Sequence, residues 1–584
     1  MNVAVLLILA LPLFYLGYAF YSKMIARLFD EDDSNKTPAV AFKDNIDYVP
    51  TNPVVLFGHH FSSIAGGGPI IGPAVAVLFG YVPVWLWLVI GSIFIGAAHD
   101  LATLYASIRE KGKSIAEIAN TSLGRTGFFL FIAFTIIMLL TVTSAFLGLT
   151  ATSLTSKVPL ESLNLDPSQT LLKTAVIDGI VNVQIGGIAS MSVIVITFCS
   201  PFLGYLLYKR EINPYLASLI AITIAIVSVT IGLKYPVTLD PTHWMIIISI
   251  YTIFAAGLPV WFVLQPRDFT NSFLLYGGIC VLLVAGIIAG FQGATMQAPA
   301  WNLKEASTKV GPVWPFLFIT VACGAISGFH CLVCGGTTSK QLRKESDGRR
   351  IAYGGMIIEG IFAMCVLIAI GSALNFSDYT NIVFPQTPGV RSNPILAFAL
   401  SMGLLLHNSL GIQAAFGTIF GILLVEGFVV TTLDTAVRLN RYLLEELWQF
   451  IFKNVPRLFK TYIFNALICV IMMFVLAYYN AFLVIWPLFG SANQLLASLA
   501  LIVISVWLIK RGKKALFSII PAIFMMATTI YSLWRLLIDK YLPKENYMLI
   551  TTDILLIVLA FGVIILSLKT IKKLKNSLNP DLSL

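Results

Sequence analysis

Apolar runs of about 20 residues recur from one end of this chain to the other, and no other feature restricts its folding as severely. A run of that length matches a helix crossing a hydrocarbon core roughly 30 Å thick, where only helices and closed barrels satisfy their own backbone polar groups. A barrel would read as short alternating segments, and these runs do not. With 58% hydrophobic and 11% charged residues and a mean hydropathy of +0.88, the chain lacks the charged surface of a soluble protein, roughly a quarter of its residues. The reading is an all-α polytopic membrane protein.

About fifteen spans are expected, near 3–22, 54–79, 82–106, 127–152, 185–208, 213–233, 243–266, 270–291, 312–335, 352–374, 411–433, 461–480, 483–509, 515–538 and 550–570. The apolar amino-terminal stretch has no basic region before it and reads as a retained span, not a cleaved signal. The net charge of +10 sits in short loops, at Arg109 to Arg125, Lys209 and Arg210, Lys340 to Arg350, and Lys510 to Lys514; there it reports orientation, not nucleic acid. With those loops cytoplasmic, the amino terminus lies outside and the basic carboxyl-terminal tail (Lys569, Lys572, Lys573, Lys575) inside. Parity then requires 393–408 to be a re-entrant or surface helix on the outer face. The stretch 438–460, alternating basic and apolar, reads as an interfacial helix on the inner face.

Five spans in 54–233 and five in 234–435 then have opposite orientations, as an inverted-repeat transporter requires; a helical bundle without repeats is the alternative. Residues 1–53 add a first span and loop, 436–460 the interfacial helix, and 461–584 four accessory spans with the tail.

Within the span 54–79, the stretch Leu56 to Pro73 holds His59, His60, Gly66, Gly67, Gly68, Pro69 and Pro73, all of which oppose a continuous apolar helix. Irregular backbone at membrane depth is tolerated where it lines a cavity, so this stretch is a candidate binding site, with the backbone of Gly66 to Pro69 offered to a carboxylate. His59 and His60 project about 100° apart, so at most one points fully into a shared site. Either could carry a proton or bind an anion, make an interhelical hydrogen bond, or ligate a haem or metal ion.

A second interruption, 324–340, contributes Ser327, His330, Thr337 and Thr338, whose oxygens suit a cation or a polar substrate group. Gly257 and Pro259 mark a span whose interruption is expected to mirror 66–69. The seven cysteines all lie in apolar segments and read as packing residues; Cys331 and Cys334 beside His330 resemble half a zinc site with no second pair.

Carboxylates inside spans default to functional candidates: Asp100 beside His99, Glu359 and Glu426 as proton-coupling groups, and Asp434, for which Arg438 four residues on offers an ordinary helix partner. A buried carboxylate without a cationic partner carries a proton, which suits coupling; a structural buried pair would read the same way.

The motifs DYVPTNPVVLFGHHFSSIAGGGPIIGPAVA (47–76), LPVWFVLQPRD (258–268), FLFITVACGAISGFHCLVCGGTTSK (316–340), YGGMIIEG (353–360) and WPLFGSANQLLA (486–497) resemble the carbon starvation protein A family, from about 45 to 510. The resemblance implies a bacterial cytoplasmic-membrane importer of peptides or pyruvate, driven by protons, with the five-plus-five inverted repeat of the amino acid–polyamine–organocation transporters. It implies no cofactor. Relatives often have an extra amino-terminal helix and a longer region before the last spans, and the Cys331/Cys334 pair is not part of the family pattern. The competing reading is a haem- or metal-binding redox or sensor protein using His59 and His60. No nucleophile–base constellation for an enzyme is evident.

Overall fold

The computed structural model describes residues 1–44, 48–163, 172–177, 179–386, 392–480 and 482–578, so the last residues of the expected basic tail lie outside the described residues. Every expected span has its helix. Thirteen are long and apolar enough to cross a membrane; the pair Pro53–Ile64 and Gly68–Phe79 makes another, bent by 44°, and Pro241–Gly257 is a shorter apolar helix. Local chemistry sets several starts. Pro53, Pro214, Pro241 and Pro394 each open a helix, and Asn52, Asn213 and Asn393 before three of them accept the amides of Val54, Tyr215 and Leu396.

The basic loops collect at one end of the helices. Arg109 pairs with Glu345, Arg511 with Glu110 and Lys513 with Asp30, while the Val49 and Thr51 amides bond the carbonyls of Lys340 and Gln341. The Ser346 amide and hydroxyl both donate to Asp33 and hold its carboxyl below the usual carboxylate range. At the other end the turn at Gly80 meets Ala300, and Gln292 meets Ser409. The first broken span therefore leaves the basic end as the second, 313–340, returns to it, and the two run antiparallel.

One boundary differs from expectation. The stretch 438–460 is not a separate interfacial helix: the helix Ala414–Ile451 runs unbroken through 38 residues, about 57 Å at 1.5 Å per residue, far beyond the bilayer core. Arg438 and Arg441 face protein, 4% and 8% exposed, so their alternation with apolar residues reflects a protein contact and not a membrane surface. The expected outer re-entrant segment is the short apolar helix Pro394–Leu410, packed as a hairpin on Ala414–Ile451 through the close approach of Gly403 to Thr418.

Candidate functional site

The two broken spans meet at their breaks. In the first, Pro53–Ile64 stops at Ala65 and the chain restarts at Gly68 with Pro69 in the first turn. A Cβ at Gly68 would lie 2.4 Å from that of Cys323, and one at Gly72 would lie 2.3 Å from the Val321 carbonyl oxygen, so glycine is what lets the breaks touch. In the second, Ala322 sits at φ +46°, a single turn follows, and a new helix starts at Phe329.

The broken ends find partners on two other helices. Thr431 donates to the Ser62 carbonyl at 3.0 Å and Thr432 to that of Ser63 at 3.3 Å. At the second break Asn493 fills the helix start: its Oδ1 accepts the Phe329 amide at 2.8 Å, its Nδ2 donates to Ser327 at 3.0 Å, and its carbonyl accepts the Gly328 amide. Ser327 is thus held by protein.

The adjacent histidines serve different networks. His60 Nδ1 lies 2.8 Å from Thr338 Oγ1, joining the two broken spans. Around it Asp100 accepts from His99 Nδ1 at 2.8 Å and from His330 Nδ1 at 2.9 Å, and His330 Nε2 points at Glu359 Oε2 from 3.4 Å; all four side chains are 0% exposed. With Asp100 taking the Nδ1 protons, an Nε2–Glu359 hydrogen bond needs one proton, on the imidazole or on the carboxyl. Either placement keeps that pair neutral overall.

His59 Nδ1 instead faces Asp268 Oδ2 at 3.1 Å. Arg267, 1% exposed, donates to Asp268 Oδ1 at 3.0 Å and grips both oxygens of Asp434, which also accepts the Tyr251 hydroxyl at 2.9 Å. Asp434 is therefore not the helix partner of Arg438: Arg438 donates to the carbonyls of Ala255 and Leu258. Buried so deeply, a guanidinium held by two carboxylates outcompetes a loose pairing four residues away on one helix.

Other expected residues are dispersed. Gly257 and Pro259 stand at the turn between Pro241–Gly257 and Leu264–Phe291, with Gly257 against Tyr462, so the segment that packs on the restarted helix at 68–72 is 320–324 and not 257–259. A turn between two whole helices produced the same Gly/Pro signal as a break within one. Thr337 bonds the Val333 carbonyl of its own helix. Glu426, 1% exposed, has Ser153 facing it, and both its oxygens lack a hydrogen bond among the described residues. Cys331 and Cys334 are buried free thiols, and among the described residues no three His, Cys, Asp or Glu side chains form a group that could hold a metal ion.

At the end opposite the basic loops a cavity of about 520 Å³ descends to Ile319 and Thr320, just ahead of the second break, with Val75 and Trp486 on its walls and Lys309 and Lys540 at its sides. Arg267, Asp268, Tyr251 and Asn493 escaped the sequence reading. Arg267 and Asp268 were assigned to a loop between spans, whereas the helix already starts at Leu264 and buries both. An Arg–Asp pair between two long apolar runs was the available signal.

The family model described as Carbon starvation protein CstA matches residues 2–386 and 371–532. The chain is 33% identical to the peptide transporter CstA of Helicobacter pylori strain J99, covering 93% of this chain and 83% of that protein. It is 32% identical to the peptide transporter CstA of Bacillus subtilis strain 168, over 97% and 96% of the two chains. It is also 29% identical to the pyruvate/proton symporter BtsT of Escherichia coli K12, over 93% and 82%.

Proposed function

The chain belongs to the carbon starvation protein CstA family, and from that premise we propose that it is a secondary active, proton-coupled importer of small carboxylate nutrients, peptides or pyruvate, across the bacterial cytoplasmic membrane. It is a transporter and not an enzyme. The observation that carries the reading is the meeting of two broken, antiparallel spans at a buried cluster made only of groups that can gain or lose a proton: His60, His99, Asp100, His330 and Glu359.

In this scheme the substrate enters through the 520 Å³ cavity, drawn by Lys309 and Lys540, and its carboxylate meets the backbone of Gly66 to Pro69 at the start of the outer half-helix. His60 and Thr338 tie the inner halves of the broken spans together. A proton arriving at the His330–Glu359 pair changes the charge that this buried cluster must hold, and so biases which end of the site is open. Glu426, beside the outer half of the path, is a second proton-coupling candidate. The substrate-facing surfaces come from the units 54–233 and 234–435, the amino terminus lies outside, and the carboxyl terminus lies in the cytoplasm.

Uptake of labelled pyruvate and of a labelled dipeptide into proteoliposomes, with and without an imposed inward proton gradient, tests the proposal. Accumulation of one of them that collapses with the gradient is the expected result. Uptake of neither overturns the substrate class, and uptake indifferent to the gradient overturns coupling.

A further inference from the structure

The helices Ile185–Tyr208 and Pro214–Lys234 form a hairpin whose packing differs from the rest. It is joined to the first broken span and to Leu264–Phe291 partly through a small separate core of Val55, Leu203, Ala217, Ala221 and Phe269. Where the hairpin turns, at the basic end, a pocket of about 650 Å³ opens between that turn, the segment leading into Pro53, and the loop after the second broken span.

Three cations from three segments line it: Lys43, Lys209 and Arg343. None has a carboxylate within ion-pair distance among the described residues; Arg343 reaches only the Pro50 carbonyl, at 3.3 Å, and Lys209 lies 5.2 Å over the Trp261 ring. Among the described residues Glu211 is the single acidic side chain on the pocket wall. Folding that gathers like charges around a concave wall leaves a site for an anion that accepts several donors at once.

The walls above the pocket identify the anion's carrier. Phe198, Phe202 and Tyr205 on one helix, and Tyr215, Leu219 and Ile226 on the other, are 45% to 84% exposed in outward stripes that continue from the pocket along the membrane-spanning part of the hairpin. A soluble phosphate has no use for such a surface, whereas acyl chains do. Basic pockets between spanning helices at the cytoplasmic face, flanked by an interfacial Trp, suit an anionic headgroup.

We propose that this pocket binds the phosphate headgroup of an anionic phospholipid, with its acyl chains along the exposed face of the 185–234 hairpin. The lipid bridges Lys209 of the hairpin to Lys43 and Arg343 in the segments flanking the two broken spans and braces the entry to the first, since Pro50 to Asn52 form part of the pocket.

Native mass spectrometry of the full chain in neutral detergent, titrated with dioleoylphosphatidylglycerol or dioleoylphosphatidylcholine, tests this without reference to what is transported. The wild type is expected to retain phosphatidylglycerol at about tenfold lower lipid concentration than phosphatidylcholine. The K43Q/K209Q double variant, altered only at exposed side chains, is expected to lose that preference, since two basic groups near an anionic surface are together worth about thirtyfold. R343Q provides an independent second variant, and each variant's melting temperature in phosphatidylcholine micelles reports folding. Equal retention of the two lipids by the wild type, or an undiminished preference in both variants, overturns the proposal. Displacement of bound phosphatidylglycerol by equimolar inorganic phosphate overturns the lipid as the source of the anion.

Discussion

His59 and His60 are neighbours in the chain, yet they open onto two buried networks of opposite character. The His59 network is organised by Arg267, a guanidinium that does not give up its proton in proteins, gripping Asp268 and Asp434. Arg267 keeps its charge, and its grip on Asp434 clamps Leu264–Phe291 to Ala414–Ile451. Around His60, the buried cluster of His99, Asp100, His330 and Glu359 has no Lys or Arg; Asp100 accepts from both of these histidines, and His330 Nε2 faces Glu359 across 3.4 Å. A network built around a permanent cation is suited to holding a fold, and one built only of groups that can gain or lose a proton is suited to coupling.

The comparison breaks most visibly at Arg267. Arg267→Met strands two buried carboxylates and should cost about 3–5 kcal/mol, enough to remove most folded protein from fluorescence-detected size exclusion; a double change with Asp434→Leu should recover much of it, because the buried charge left behind is halved. Recovery of folding with an unchanged pH profile of uptake would fix the first network as scaffold. If instead the double variant folds but loses its dependence on the proton gradient, the division of labour is wrong.

In the second network Glu359→Gln keeps size and polarity but cannot carry a proton between states. It is expected to fold, to abolish gradient-driven accumulation and to spare exchange of substrate across vesicles with equal pH on both sides. The adjacent histidines give the sharpest contrast at smaller magnitude. His59→Gln should lower stability by about 1–3 kcal/mol through the unpaired Asp268 oxygen and leave the pH profile of uptake in place. His60→Gln should displace that profile with little change in melting temperature, and the reverse pattern would exchange the two roles.

The smallest effect belongs to the second break. Asn493→Ala removes the acceptor of the Phe329 amide and the donor to Ser327, and should lower the melting temperature by an amount equivalent to about 1–2 kcal/mol, with substrate affinity nearly unaffected. A large rise in KM would instead place substrate at the second break. Its helix start is already filled by protein through Asn493.

Much of the architecture was legible in the residues. Hydropathy found every span and the glycine run at 66–68 announced the first break, because each of these signals acts within a few residues of where it is written. Arg267 was missed because a helix boundary displaced by a few residues turned a buried charge into a loop residue. Gly257 and Pro259 misled for the same local reason, since a turn between helices and a break within one use the same residues.

The sequence by itself determined a many-spanned helical membrane protein with a helix broken at the glycine run 66–68 and ionisable groups at membrane depth, because bilayer thickness and helix geometry act on the chain segment by segment. Only the tertiary structure decided which of those groups meet. Asp434 bonds a residue 167 positions away in place of one four positions away, and two adjacent histidines part company by about 100° of helix rotation, one toward the network held by Arg267 and the other toward Thr338. The cost of burying a charge without a partner settles such choices, and partners are found across space, not along the chain.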